Sequence, residues 1–368
     1  MFIKEIYLKN FRNYREQKVS FRPGLNVIYG DNAQGKTNLL ESIYLSALGK
    51  SFKPASEKEM IFFGERFADI RVDYFSQGRD MYNTFRLFTE KKKIVTVNGV
   101  PLSKMSELVG KLTVVVFTPE ELSLVKEGPT VRRRFLDMSI SQIKPKYMSI
   151  LSGYNKALEQ KNKLLKEIKL KPSLSETIAL WDEQLSQYGA KIILQRREFL
   201  NRIITSAAEF HREISMEKEE LTAKYKCVVE EESADFDKTR KVLIKSMENA
   251  REKEIFLGQA VTGPHRDDVI FYINGTPAKV FGSQGQQRTV VLALKLAQKN
   301  IFFEETEEEP VLLLDDITGE LDLSRREYLF SKIENSQVFI TCTDTDRVSS
   351  DENAGFYKIE GGKVIKSK

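Results

Sequence analysis

Apolar and polar positions alternate from the amino terminus onward, and the alternation predicts strands. Phe2, Ile3, Ile6, Tyr7 and Leu8 read as a first strand, Val19 and Phe21 as its partner, and Pro23-Gly24 as the turn into a third run, Leu25 to Tyr29. The period then changes: Leu39, Leu40, Ile43, Tyr44 and Leu45 recur at the spacing of a helix packed on a core. Alternation returns at Ala68 to Phe75 and at Thr84 to Phe88. Asn98-Gly99 follows Ile94-Val95-Thr96-Val97 as a hairpin turn, so this half is expected to carry an antiparallel β-layer beside its core. Val114 to Phe117 is apolar throughout, as in a strand buried on both faces, and it ends at Thr118-Pro119.

From Glu120 to about Phe256 the pattern is mainly helical, with long segments at Tyr147 to Lys169, Ser175 to Ile214 and Phe236 to Phe256, and one strand at Leu221 to Val229. Ile178, Trp181, Leu185, Tyr188 and Ile192 form an apolar stripe that requires a partner helix. At a rise of about 1.5 Å per residue the second segment spans roughly 60 Å, the size of an arm rather than of a very long coiled coil. The β pattern resumes at Val269 to Ile273 with a second hairpin turn, Asn274-Gly275. A long apolar helix through Val290, Val291, Leu294, Leu296 and Ala297 follows, then buried strands at Val311 to Leu314 and Val338 to Thr343. The expected fold is α/β: residues 1–118 with 257–368 form a mixed-sheet head carrying the antiparallel β-layer, and 119–256 form an inserted, mainly helical arm as a second lobe.

Composition narrows the chemistry. The 368 residues are 30% charged and 41% apolar, an ordinary soluble balance with no low-complexity block, so the chain is expected to fold throughout. Cys227 and Cys342 lie far apart, giving neither a disulfide framework nor zinc-ligand spacing. His211 and His265 are the only histidines, which leaves little for imidazole metal sites or triads. Met1 to Phe11 carries no signal-peptide pattern and no segment approaches a membrane span, so a reducing cytoplasm and no membrane partner are expected. A net charge of +5 permits a nucleic-acid partner without requiring one.

The chemistry-bearing motifs begin with Gly30-Asp31-Asn32-Ala33-Gln34-Gly35-Lys36-Thr37, a complete G-x-x-x-x-G-K-[ST] phosphate loop between the third strand and the first helix. Gly30, Asn32, Gly35, Lys36, Thr37 and the next residue, Asn38, are expected to bind ATP: the glycines let backbone N–H groups face the phosphates, and Lys36 neutralises the terminal ones. The Thr37 hydroxyl is offered to Mg²⁺. Arg12, just before the second strand, either reaches the nucleotide or belongs to a solvated turn. Val311-Leu312-Leu313-Leu314-Asp315-Asp316 is a Walker B arrangement, in which Asp315 meets the Mg²⁺ shell and Asp316, the expected catalytic residue, polarises the attacking water. Thr262-Gly263-Pro264-His265-Arg266-Asp267-Asp268 reads as a turn first, with His265 ordering a junction rather than doing chemistry.

Cations gather on the arm: Arg132, Arg133 and Arg134 at a helix start, then Lys161, Lys163, Lys166, Lys169 and Lys171 against Glu167 alone. Contact with DNA phosphates is one reading, assigned to Arg132, Arg133, Arg134, Lys161 and Lys163. A solvated helix face is another, and the triple arginine has a third in pairing with Asp137 and neighbouring acids at a domain junction.

Ser283-Gln284-Gly285-Gln286 opens a helix, and taken alone Ser283 is an ordinary N-cap. Ser-x-Gly-Gln also resembles the signature of ATP-binding-cassette ATPases, which implies that Ser283, Gly285 and Gln286 act in trans on the γ-phosphate held by a second subunit. Gly319-Glu320-Leu321-Asp322 resembles the D-loop of the same superfamily. The ordered set resembles the RecF family of bacterial recombination-repair ATPases, relatives of the structural-maintenance-of-chromosomes and Rad-type ATPases. It is carried by Asn10-Phe11-Arg12-Asn13-Tyr14, Asn38-Leu39-Leu40-Glu41, Arg133-Arg134-Phe135-Leu136-Asp137, the Gly263 to Asp268 turn and Ser283 to Arg288.

The resemblance implies an ATP-driven, head-to-head homodimer on double-stranded DNA at gaps or junctions with single-stranded DNA. It further implies slow, DNA-stimulated hydrolysis to ADP and phosphate, RecO and RecR as partners in loading recombinase, and a setting in replication, DNA damage and the SOS response. Asp316 stands where the superfamily has glutamate, no histidine occurs from Thr341 to Asp346, and only Glu120 or Glu121 is placed to serve for a Q-loop glutamine. Those departures favour slow turnover, or a nucleotide-gated structural clamp with negligible hydrolysis. A nuclease of the overcoming-lysogenization type, which joins a similar head to a catalytic metal domain, is the third alternative, and that domain is not expected in the stretch from the final strand to Lys368.

Overall fold

The computed structural model describes residues 1–53, 55–231, 234–319, 321–343 and 353–366. The chain opens with β1 (Phe2–Phe11), β2 (Tyr14–Ser20) and β3 (Leu25–Tyr29), then α1 (Lys36–Leu48). β4 (Phe67–Ser76), β5 (Arg79–Phe88), β6 (Ile94–Val97) and β7 (Val100–Pro101) complete an antiparallel sheet of order β2-β1-β4-β5-β6-β7. After β8 (Val114–Phe117) come α2 (Ser123–Lys126), α3 (Pro129–Ile143), α4 (Pro145–Ile168) and α5 (Ile178–Ile214). Next are β9 (Leu221–Lys226), α6 (Phe236–Leu257), β10 (Asp268–Ile273), β11 (Thr276–Pro277), α7 (Ala278–Phe281) and α8 (Gln284–Thr306). β12 (Val311–Leu314), α9 (Leu323–Ile333), β13 (Val338–Cys342), β14 (Gly355–Glu360) and β15 (Lys363–Lys366) follow. Both Asn-Gly turns form, with Asn98 and Asn274 in the left-handed region that a tight hairpin demands.

Two compact units result. The first holds Met1–Leu122 and Leu292–Lys368; the second holds Ser123–Val291, so residues 257–291, grouped with the head on sequence grounds, lie in the second unit.

In the first unit a second sheet has the order β15-β14-β3-β13-β12-β8. β8, β12, β13, β3 and β14 run parallel, and β8, β12 and β13 are buried at every residue, which their unbroken apolar sequences require. Because β13 lies between β3 and β12, the loops leaving β3 and β12 emerge on either side of its carboxyl end. That edge is where an α/β sheet places a ligand. α1 is buried at every position from Leu39 to Leu48, polar residues included, and touches both sheets of this unit. Its apolar residues are therefore spread round the helix rather than striped, and Glu41, Ser42 and Ser46 are buried among them.

In the second unit α4, α5 and α6 pack together, and the stripe on α5 finds its partner in α4: Ile178, Leu185 and Ile192 are fully buried. Tyr188 lies over Gly153, where any Cβ would come within 2.7 Å of its ring. Among the three helices sits a buried ion triad, Lys161 Nζ at 2.6 Å from both Asp182 and Glu254.

Candidate functional site

The phosphate loop leaves β3 at Tyr29 and turns through three left-handed residues, Gly30, Ala33 and Gly35. At Gly30 a Cβ would come within 2.4 Å of the Ile359 carbonyl, and at Gly35 within 2.5 Å of Asn13. Both glycines are thus fixed by close approach as well as by φ. Lys36 Nζ donates to the carbonyls of Gly30 (2.6 Å) and Asp31 (2.8 Å), closing the loop on itself. Burial lowers the Lys36 pKa, while Asp316, Asp31 and Asp315 oppose that shift, so the ammonium sits where anionic oxygens would stabilise it.

Across β13 the Walker B strand delivers Asp315, whose amide is bound to the Phe117 carbonyl at 2.8 Å. One Asp315 carboxylate oxygen accepts from Thr37 Oγ1 at 2.9 Å and from Thr341 Oγ1 at 2.7 Å. Thr341 Oγ1 in turn accepts from the Asp316 amide at 2.9 Å. Burial raises the Asp315 pKa; the two threonine hydroxyls and Lys53 lower it, and Glu120 adds to the rise. Glu121 is spent on Lys295 at 2.8 Å. Asp316 is exposed and left-handed, at φ 51°.

The loop is braced by residues the motif does not name. Asn13 donates to the Gln34 carbonyl at 2.6 Å and accepts from Asn38 at 3.0 Å; Tyr14 donates to the Gly35 carbonyl at 2.9 Å. Gln34 Oε1 accepts from the Gly361 amide at 2.6 Å. Asn38 is thereby engaged with Asn13 and with Lys53, whose Nζ is 3.3 Å from Asn38 Oδ1. Arg12 is bidentate to the buried Glu41 of α1, at 2.9 and 2.6 Å, and donates to the Glu59 carbonyl at 2.8 Å. Its guanidinium fastens the β1–β2 turn to the loop helix, and Asn32 lies exposed at the loop tip. Glu41, set between Leu40 and Ile43 on a core-packed helix, is a signal in the sequence, since a buried carboxylate demands a cation. Beside the loop opens a cleft of about 440 Å³ lined by Tyr29, Gly30, Asp31, Gln34, Thr343 and Lys358.

The signature lies in the second unit. Ser283 Oγ accepts the Gln286 amide at 3.2 Å and Gln286 Oε1 accepts the Ser283 amide at 2.8 Å, a reciprocal cap on α8. Gly285 is half-buried in the first turn. Of the expected D-loop, Glu320 lies outside the described residues, as do Asp344 to Asp346 beyond β13; Asp322 caps α9 by accepting the Arg325 amide.

The arm cations divide. Lys161 is corrected: it is fully buried in the triad with Asp182 and Glu254 and offers nothing to a DNA surface. Arg132 is corrected likewise, being 5% exposed and bidentate to Asp268 at 2.7 and 3.0 Å. Asp137, one of the acids that the junction reading offered to the arginine run, is taken by Arg196. Arg133 is half-buried, bound to the Asp267 carbonyl at 2.7 Å, with its pKa lowered by burial and by neighbouring Arg196. Arg134 is exposed, and exposed Lys163 pairs with Glu159 at 2.8 Å. Helical spacing located these side chains but gave no sign of which face the acids occupy.

His265 sits in the same unit as a half-buried imidazole. Nε2 donates to the Ala260 carbonyl at 3.2 Å and Nδ1 accepts from Tyr154 at 2.6 Å, with the pKa pushed down by burial to about 4. Nearby Asp267 accepts from Tyr225 and is raised by burial to about 6. These groups order the turn, as its glycine and proline imply.

The RecF/RecN/SMC N terminal domain matches residues 2–364. The DNA replication and repair protein RecF of Agathobacter rectalis is 44% identical over 346 residues, covering 94% of this chain and 93% of its own. That of Alkaliphilus oremlandii is 44% identical over 365 residues, covering 98% and 99%. A solved structure of the recombination mediator protein RecF with ATP in the RecFOR pathway superposes with a TM-score of 0.94 at 38% identity, covering 100% of this chain and 98% of that one. The Smc head domain of Pyrococcus furiosus superposes at 0.58 with 14% identity, over 99% of this chain and 96% of that one, a likeness of fold alone.

Proposed function

We propose that this chain, which belongs to the RecF family of DNA replication and repair proteins, is a nucleotide-gated DNA-binding ATPase that pairs with a second copy of itself around ATP. One observation carries the reading: Lys36, Thr37 and Asp315 converge at the carboxyl edge of the parallel sheet, with Thr341 behind them. The ATP-bound relative supports the same ligand here.

Thr37 and Asp315 fit Mg²⁺. Their oxygens are hard donors 2.9 Å apart, and burial of the Asp315 carboxylate favours a cation beside it. With two protein oxygens at hand, phosphate and water oxygens would complete the shell. The ion, when bound, neutralises charge on the β- and γ-phosphate oxygens. The chain's own residues do the rest. The left-handed loop aims amides at the phosphates, Lys36 leaves its two carbonyls for them, and Asp316 orients water. Glu120 is the candidate for the Q-loop role and Thr341 for the switch. Ser283, Gly285 and Gln286 of the second copy close the site, so 257–368 count functionally with 1–118 as head and 119–256 as arm.

Closed pairing creates the surface that holds duplex DNA at a gap or junction, with Arg134, Arg133 and Lys163 the remaining candidate cations. Binding through phosphates would be salt-sensitive with little base reading. RecO and RecR are the proposed partners, in the pathway named for the ATP-bound relative. Asp316 is one methylene shorter than glutamate, which favours slow hydrolysis and keeps a pure structural clamp as the second reading. Turnover measured with and without DNA separates the two, since complete lack of DNA stimulation selects the clamp.

Sedimentation with ATP tests the core of the proposal. Lys36→Met is expected to abolish ATP-dependent pairing, and Ser283→Arg to block pairing while the monomer still binds ATP. A Lys36→Met protein that pairs normally, or a Ser283→Arg protein that loses ATP itself, contradicts it.

A further inference from the structure

The signature cap is held by a residue outside every motif. Gln286 Nε2 donates to Glu219 Oε1 at 2.8 Å, and the other Glu219 oxygen lies 3.0 Å from Nε2 of His211, a fully buried residue in the last turn of α5. Glu219 reaches both because its loop is pinned. The Glu220 amide donates to Asn274 Oδ1 at 2.7 Å and the Asn274 amide to the Glu220 carbonyl at 2.9 Å, so the β10–β11 turn grips the start of β9. Met216 and Glu217, both left-handed, bend the chain tightly between α5 and this grip. Three elements thus deliver one carboxylate to one carboxamide.

The consequence is chemical. An amide side chain at the third helical position can turn either end toward the cap. With a carboxylate beside it, Nε2 must face Glu219, and Oε1 is left for the Ser283 amide. The Ser283 hydroxyl accepts the Gln286 amide and keeps its proton to donate. We infer that Glu219, oriented by His211, is a positioning residue that sets the signature in the form able to donate to a γ-phosphate on a second copy of this chain. The inference rests on the trans reading given above for Ser283.

Glu219→Ala and Glu219→Gln, each in the full chain, test it by ATP binding to the monomer and by ATP-dependent pairing. Loss of a hydrogen bond to a charged group is worth roughly ten- to a hundredfold in an equilibrium. Glu219→Ala should therefore keep ATP affinity within about twofold and weaken pairing roughly tenfold or more. Glu219→Gln, which still offers Gln286 an acceptor, should recover much of the loss and remains informative if the alanine variant folds poorly. Mixing Glu219→Ala with Lys36→Met gives pairs in which an intact phosphate loop faces an intact signature. Such mixtures should pair better than either variant alone, a recovery that a merely structural role would not produce. Wild-type pairing by Glu219→Ala, or a mixture no better than its parts, overturns the inference while leaving ATP-driven pairing of the parent standing. Failure of the parent to pair with ATP overturns both.

Discussion

Replacing Lys161 by Met tests whether a cation that looked like part of a DNA surface is instead a structural charge. Its ammonium is fully buried, 2.6 Å from Asp182 and 2.6 Å from Glu254, whose side chains are 3% and 0% exposed. Methionine fills similar volume, so the perturbation is the charge. Asp182 keeps Arg251 at 3.1 Å, and Glu254 keeps the Val261 amide, at 2.8 Å on its other oxygen. Breaking a buried pair from one side costs about 3–5 kcal/mol, because the remaining charge stays desolvated. For a unit of this size each kcal/mol moves the melting temperature by roughly 2–4 °C, so a fall of roughly 6–20 °C is expected. Thermal unfolding followed by circular dichroism measures it. Adding Glu254→Gln to Lys161→Met should restore part of the loss, since it neutralises the abandoned carboxylate. At a temperature where the variant is folded, the salt dependence of duplex binding should match the parent's. A melting shift under about 2 °C together with weaker binding and a shallower salt slope would refute the reasoning, since that is what removing a phosphate contact does.

Two further outcomes follow from local geometry. Gly30→Ala combines φ 141° with a Cβ only 2.4 Å from the Ile359 carbonyl. It should weaken ATP binding at least roughly tenfold, whereas Gly24→Ala, with nothing within 4 Å, should not; equal affinities in a direct titration would contradict this. Half-buried His265 and buried Asp267 near the Gly263 turn predict opposing pH effects. His265, lowered to about 4, binds fewer protons folded than unfolded, so its contribution to stability grows as pH rises from about 4 to 6.5. Asp267, raised to about 6, binds more protons folded, so its contribution falls between about pH 4 and 6. Denaturation across that range should show the parent gaining roughly 2–3 kcal/mol on His265→Asn and losing roughly 2 kcal/mol against Asp267→Asn; pH-independent differences would count against both assignments.

Period and turn chemistry carried most of the fold. The two Asn-Gly turns, the apolar runs of β8 and β12 and the stripe on α5 each stated their environment, because burial on one face or two leaves a distinct spacing. The loop and the Walker B aspartates were legible for a related reason: a phosphate cradle admits few residues at fixed offsets. The braces around them were not. Asn13, Tyr14 and Gln34 act through contacts distant in sequence, and even where a motif includes them its spacing does not say what they touch. Arg12 reads as a basic turn residue, but its tie to Glu41 depends on how β1 and α1 meet. Lys161 failed for the complementary reason. Its sequence neighbours are lysines, while its partners, Asp182 and Glu254, come from two other helices. Glu219 carried no signal, since its target is sixty-seven positions away.

The central claim is that ATP is what joins two copies, with each supplying half of the site. Sedimentation velocity of the full chain, run with Mg²⁺ alone, with Mg²⁺ and ATP, and with both plus a gapped duplex, tests it most directly. The account predicts a monomer in the first run, a shift toward dimer in the second and a dimer bound to DNA in the third, all lost in Lys36→Met. A monomer throughout, or a dimer indifferent to ATP, would contradict it.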